Sequence, residues 1–172
     1  MSIMTPTIID IEASGFGSQS YPIEVGVITA DGRRFCRLIK PLPHWSHWDP
    51  QAEGLHGISK QDLVQHGEDP RRVCHQLNAF LNTTTVYSDG WTVDSSWINR
   101  LFGDVGVNMV FHVSPLELIL SEAQMSIWHR VKESMLKRQD CRRHRASNDA
   151  KLVQSTYSKT KEMLEAALTD CQ

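Results

Sequence analysis

The chain has no CxxC pair and no dense cysteine framework: Cys36, Cys74, Cys141 and Cys171 are scattered over 172 residues. That spacing excludes the small, disulfide-stapled secreted class. It also argues against zinc, because Cys141 and His144 form one C-x-x-H pair and no second pair completes a set of four ligands. No apolar run approaches the roughly 20 residues needed to cross a bilayer, so no membrane partner is expected. The opening MSIMTPTIIDIEA lacks a basic region and turns acidic after its isoleucines, unlike a signal peptide. A cytoplasmic, reducing location is the resulting expectation. There is no basic excess either: 18 Lys and Arg against 20 Asp and Glu leave a formal charge of −2. That balance tells against a passive nucleic-acid binder and leaves room for an enzyme with an acidic metal site and a local basic rim. Without an internal repeat, low-complexity segment or linker, residues 1–172 read as a single domain.

Several elements are legible from periodicity. TPTIIDIEA reads as a strand whose adjacent Ile8 and Ile9 suggest cover on both faces. A second strand is expected over Ile23–Thr29, and the Asp31-Gly32 turn leads into a third over Phe35–Ile39. Pro41–Pro50 (PLPHWSHWDP) reads as a loop. Ser59 and Asp62 have capping-box spacing for a helix over Ser59–His66. Asp69-Pro70 opens another helix, with Val73, Leu77, Phe80 and Leu81 at helical spacing. Thr83–Tyr87 and Val107–Val113 complete the expected strands. Helices are expected over Asp94–Phe102, over Leu116–Arg138, and from Ser147, as N-cap, toward Leu168. The order describes a mixed α/β sheet layered with helices.

The chemistry-bearing residues are carboxylates. Asp10 and Glu12 alternate on one strand and so share a face, roughly 7 Å apart along the chain. Two such groups can reach a common hard cation that prefers oxygen ligands, Mg²⁺ or Mn²⁺. Asp94 follows a strand and opens a helix; N-cap and active-site readings both stand, and Asp89 competes for the same position. His144 and Asp149 lie in HRASNDA, with His144 on the loop before the last helix and Asp149 in its first turn. Phosphodiester hydrolysis needs a deprotonated water and a stabilised leaving oxygen, which converging carboxylates and a near-neutral histidine can supply around metal ions.

In this arrangement the sequence resembles the DEDDh family of 3'-5' exonucleases, which includes ribonuclease T, oligoribonuclease and polymerase proofreading subunits. Asp10-Ile11-Glu12 matches the first motif, with Ala13, Ser14 and Gly15 following it. Asp94, ahead of Trp97, Leu101 and Phe102, matches the second, and His144 to Asp149 the third. EGLHGIS resembles the family's segment near the terminal nucleotide. The resemblance runs from about residue 7 to about residue 165. It implies a ribonuclease H-like fold, a five-stranded mixed sheet flanked by helices. It implies that Asp10 bridges two Mg²⁺ (or Mn²⁺) ions, Glu12 and Asp149 complete one site, Asp94 serves the other, and His144 is the general base. Glu12 and Ala13, Ser14 and Gly15 would lie near the terminal ribose, Phe16 would stack on a base or anchor the turn, and Leu55, His56 and Ile58 would meet the nucleotide or else serve the fold, Leu55 and Ile58 in the core and His56 in the turn before Gly57. Lys137, Arg138, Arg142, Arg143 and Arg145, just before the third motif, read either as a solvated helix end or as a basic rim that draws in the phosphate backbone of a single-stranded nucleic acid with a free 3' end, RNA favoured over DNA by analogy. Related enzymes often dimerise, so a homodimer is among the implied assemblies. The family often has His-Asn shortly before the second Asp, where this chain has Ser88-Asp89-Gly90, and the HWSHW loop has no evident counterpart. Two other readings compete: a catalytically silent nucleic-acid-binding domain, which should lack one of these carboxylates, and an interaction module built on the tryptophan-rich loop.

Overall fold

The computed structural model describes residues 5–138 and 144–169. Five strands form one mixed sheet: β1 (Ile8–Ala13), β2 (Pro22–Ile28), β3 (Arg34–Leu38), β4 (Thr85–Ser88) and β5 (His112–Pro115), in the order β3-β2-β1-β4-β5. β1 pairs antiparallel with β2 and parallel with β4, and β4 pairs parallel with β5. β1 is thus central, and Ile8 and Ile9 are 0% and 1% exposed on opposite faces. The Thr29–Arg33 hairpin into β3 uses Gly32 at φ +84°, a backbone conformation that glycine adopts without steric cost.

Each face of the sheet is covered by helices. Ile9, Ile11, Val25 and Val27 pack with Val73 and Leu77 of α3 (Pro70–Leu81) and with Ile98 and Leu101 of α4 (Trp91–Val105). On the other face Ile8 and Ile28 meet Trp128 of α5 (Glu122–Arg138) and Ala150, Val153 and Tyr157 of α6 (Ala146–Thr169). Alternation along β1 sends Asp10 and Glu12 to this second face, beside the start of α6. Their register partners on β2 are Gly26 and Glu24.

Several boundaries differ from expectation, each for a local reason. The loop reading of Pro41–Pro50 ends early, because Asp49 caps a short helix, α1 (Pro50–His56), by accepting the Gln51 N–H at 2.8 Å. The same Asp-Pro device opens α3, where Asp69 accepts the Arg72 N–H at 3.0 Å. Ser59 and Asp62 form the expected capping box at the head of α2 (Lys60–His66). The strand expected over Val107–Val113 begins only at His112, since the Asn78 amide binds Asn108 O at 2.8 Å and Val110 N at 3.2 Å in place of a ladder. The pattern over Leu116–Arg138 divides into a 3-10 turn (Leu116–Ile119) and α5, where Ser121 and Gln124 cap each other reciprocally at 3.2 Å. α4 begins at Trp91, so Asp94 is inside its first turn rather than capping it. Ser147 is likewise not the cap of α6: it lies buried within the first turn, with the helix starting at Ala146.

Candidate active site

The carboxyl ends of the parallel strands β1 and β4 meet the starts of α4 and α6, the edge at which open α/β sheets bind ligands. Donor atoms of Glu12, His144 and Asp149 lie within 4.8 Å of one another. Asp10 and Asp94 fall outside that mutual distance, but Asp10 is raised well above the usual carboxylate range by burial and by the charges of Asp94, Glu12, Asp149 and, last, Asp89. Burial lifts Glu12 to about 8, and Asp149, Glu24 and Asp94 push it the same way while Arg145 pulls it down. Burial also lifts Asp94 to about 7, against the Ser88 hydroxyl, which donates at 2.5 Å. Clustered carboxylates that repel in a buried setting are what a divalent cation neutralises, so this oxygen-rich donor set with one imidazole fits a hard metal.

The local backbone explains how these groups converge. His144 adopts φ +57°, which costs a non-glycine residue about 1–2 kcal/mol. Its N–H donates to Asp149 Oδ2 at 3.0 Å, tying the loop to the first turn of α6. Asp94 is 3% exposed and reaches back to Ser88 at the end of β4. Asp89, the competing residue, is instead ion-paired with Lys132 of α5.

Beside the carboxylates lies a cavity of about 180 Å³ lined by Glu12, Gly15, Phe16, Leu55, Trp97 and His144, with Ile11, Ala13, Ala52 and His56 completing it. Phe16 and Leu55 are 62% and 52% exposed, apolar side chains left open to solvent at its rim. His56 is buried, and its Nδ1 accepts the Ile58 N–H at 3.0 Å, so Nε2 carries the proton. Burial pulls its pKa down, keeping it neutral. Nε2 lies toward the Ala13 backbone without ordinary hydrogen-bond geometry and has no partner among the described residues.

Other expected contacts are drawn elsewhere. Ile58 sits in the core, and the Ser14 hydroxyl accepts the Tyr21 N–H at 3.1 Å, turned into the β1–β2 connection. The Arg145 guanidinium is taken up by Glu24. Arg142 and Arg143 lie outside the described residues. The tryptophan-rich loop clamps the body: Trp45 is buried, stacks on Tyr21 at 5.1 Å and donates to Asp104 at 2.6 Å. Trp48 donates to Glu53 at 2.6 Å and meets the edge of His56. Sequence reasoning missed Glu24 and the pocket role of Trp97. Glu24 left a signal, a lone charge in the apolar run PIEVGVI. Trp97 left none, since its helical spacing reads equally as core.

No family profile and no curated protein matches the sequence. Solved structures do match. Exonuclease I of E. coli in complex with a dT13 oligonucleotide is 14% identical with a TM-score of 0.72, covering 98% of this chain and 43% of that one. The zinc-bound E. coli exonuclease I–ssDNA complex is 13% identical with a TM-score of 0.70, covering 96% and 42%. The complex with a dA16 oligonucleotide gives 12%, 0.67, 89% and 40%. This chain therefore has the ribonuclease H-like fold of those exonucleases, as the motif resemblance implied, and spans about two-fifths of their length.

Proposed function

We propose that this chain is a metal-dependent 3'-5' exonuclease of the DEDDh type, acting as a single domain on single-stranded nucleic acid. The observation that carries this reading is the convergence of Asp10, Glu12, Asp94, Asp149 and His144, from β1, α4, α6 and the loop before α6, beside a small, apolar-rimmed cavity. Folds host many activities, so the site rather than the likeness supports the chemistry. The neighbours' complexes with single-stranded DNA oligonucleotides agree with it.

In this reading Asp10, Glu12, Asp94 and Asp149 would hold two Mg²⁺ or Mn²⁺ ions. Bound there, the ions would neutralise charge on the attacking and leaving oxygens of an in-line displacement. His144, on its strained loop, takes the proton from the attacking water. The water oxygen bonds to the phosphorus of the 3'-terminal nucleotide as the bond to the preceding O3' breaks; that oxygen leaves with the electron pair and takes a proton from solvent, releasing a nucleoside 5'-monophosphate and a strand one nucleotide shorter. Phe16 and Leu55 hold the terminal base by stacking and apolar contact, with Trp97 lining the same cavity; a stacked base is worth about 1–3 kcal/mol and tolerates any sequence. His56 completes the wall of the same cavity. RNA is favoured on the sequence analogy, although the neighbours hold DNA.

The test is digestion of 5'-labelled single-stranded RNA and DNA with Mg²⁺, Mn²⁺ or EDTA. Shortening from the 3' end, abolished by EDTA and by Asp10→Ala, is expected. Intact RNA and DNA with either metal would refute the reading.

A further inference from the structure

The start of α6 is held to the sheet by a side chain that touches no reacting atom in that scheme, although its charge also raises Glu12. Glu24 lies on β2, is 0% exposed, and is the register partner of Glu12. Arg145 Nε donates to its two oxygens at 3.0 and 3.1 Å, and Arg145 Nη2 donates to Oε1 at 2.6 Å. Glu24 Oε2 also accepts the Ala146 N–H at 2.8 Å. Ala146 is the first residue of α6, so its amide is one of those a helix cannot satisfy internally. The cap that Ser147 does not supply therefore comes from β2.

The surroundings are built to the same tolerance. A Cβ at Gly26 would sit 2.1 Å from Ser147 N and 2.3 Å from the Ala146 carbonyl carbon, so only glycine admits this approach. Arg34 of β3 donates to Ser147 Oγ and, at 2.8 Å, to Asn148 Oδ1. Residues 145–148 are thus gripped from β2 and β3, and His144 and Asp149 are the next residues on either side. A buried ion pair is weak evidence for stability, because apolar replacements of similar volume often do as well. Direction is what the bidentate Arg145 fork adds, since its geometry fixes both register and angle.

We propose that Glu24 is a positioning residue: through Arg145 and Ala146 it sets the distance of His144 and Asp149 from Glu12, and so the cation affinity and turnover of the site. This rests on the reading of the site as a cation-dependent exonuclease. The test is Glu24→Gln in the full chain, a side chain of the same shape that keeps an acceptor for Ala146 and loses the charge facing Arg145. Fold is followed by circular dichroism and melting, Mn²⁺ affinity by calorimetry, and kcat and KM on single-stranded oligonucleotides. The folded variant should lose about ten- to hundredfold in Mn²⁺ affinity and kcat. KM should stay within about twofold, because no substrate contact is removed. A folded variant with wild-type Mn²⁺ affinity and kcat overturns the proposal and leaves a bridge that only stabilises. Should Glu24→Gln not fold, Arg145→Lys, which keeps the charge without the fork, should give the same division, and wild-type Mn²⁺ affinity there overturns it equally. A wild type that binds Mn²⁺ but cleaves neither RNA nor DNA ends the exonuclease reading while the calorimetry still decides on Glu24. A wild type that binds no Mn²⁺ ends both.

Discussion

Removing a carboxylate from this site should stabilise the metal-free protein. Asp94 is 3% exposed, and burial moves it from 3.8 to about 7. Its folded pKa is raised, so between these values the unfolded chain ionises while the folded one stays protonated. Stability is therefore greatest below the lower value, falls as pH rises through the window, and levels off above about 7. At about 1.4 kcal/mol per pH unit the cost is on the order of 2 kcal/mol at pH 5 and 4 kcal/mol at pH 8, as an upper bound. Asp94→Asn never ionises and keeps an amide oxygen to accept from Ser88. It should outlast wild type in EDTA by up to those amounts, or by roughly 8–16 °C at pH 8 if the whole 4 kcal/mol appears. Saturating Mg²⁺ should narrow the gap, since wild type gains about 2.7 kcal/mol at a hundredfold excess over Kd and the variant less. Urea and thermal unfolding at pH 5 and pH 8, with EDTA or Mg²⁺, measure all four corners. A variant no more stable than wild type at pH 8 in EDTA, or a gain unchanged between the two pH values, would refute the electrostatic reasoning.

Other consequences are as specific. Asp94→Asn should lower kcat/KM by about a hundredfold or more, equivalent to ~3 kcal/mol of transition-state stabilisation, whereas Asp89→Asn, which releases Lys132 and removes one charge from the edge of the cluster, should stay within about threefold; steady-state kinetics on one oligonucleotide compares them. Gly26→Ala forces a methyl group into the α6 backbone and should lower the Tm by about 6 °C or more, with loss of Mn²⁺ binding in what remains folded. Ser59→Ala removes the capping box of α2 and should cost about 1 kcal/mol in urea unfolding with little change in kcat. Trp97→Ala should raise KM about tenfold or more, measured on a series of short oligonucleotides, if a base packs in the cavity.

Much of this is legible in the sequence itself. The adjacent isoleucines gave away β1 as a doubly covered strand, and the pairs Ser59/Asp62 and Asp69-Pro70 marked two helix starts, because capping chemistry is local. Asp49-Pro50 carries the same signal but was masked by the aromatic, proline-rich segment around it. The late start of β5 was not legible: it depends on Asn78, distant in sequence, satisfying the backbone around Asn108 and Val110. The same holds at α6, where the start is set by Glu24 across the sheet rather than by Ser147. At the site, spacing along one strand paired Asp10 with Glu12, and spacing across one turn paired His144 with Asp149. What distinguishes Asp94 from Asp89 appears only in three dimensions: Asp94 is buried against Ser88, and Asp89 is ion-paired with Lys132. Arg145 looked like a substrate ligand because sequence shows its charge and not its partner.

In the proposed reaction these carboxylates and His144 direct water onto the phosphorus of a 3'-terminal nucleotide. Digestion of a single-stranded oligonucleotide in ¹⁸O-enriched water with Mg²⁺, followed by mass spectrometry of the products, tests it most directly. The expected products are nucleoside 5'-monophosphates that each carry one solvent-derived ¹⁸O on phosphorus, released from the 3' end and absent with Asp10→Ala. Release of 3'-phosphates, internal cleavage, or no release with either Mg²⁺ or Mn²⁺ would contradict it.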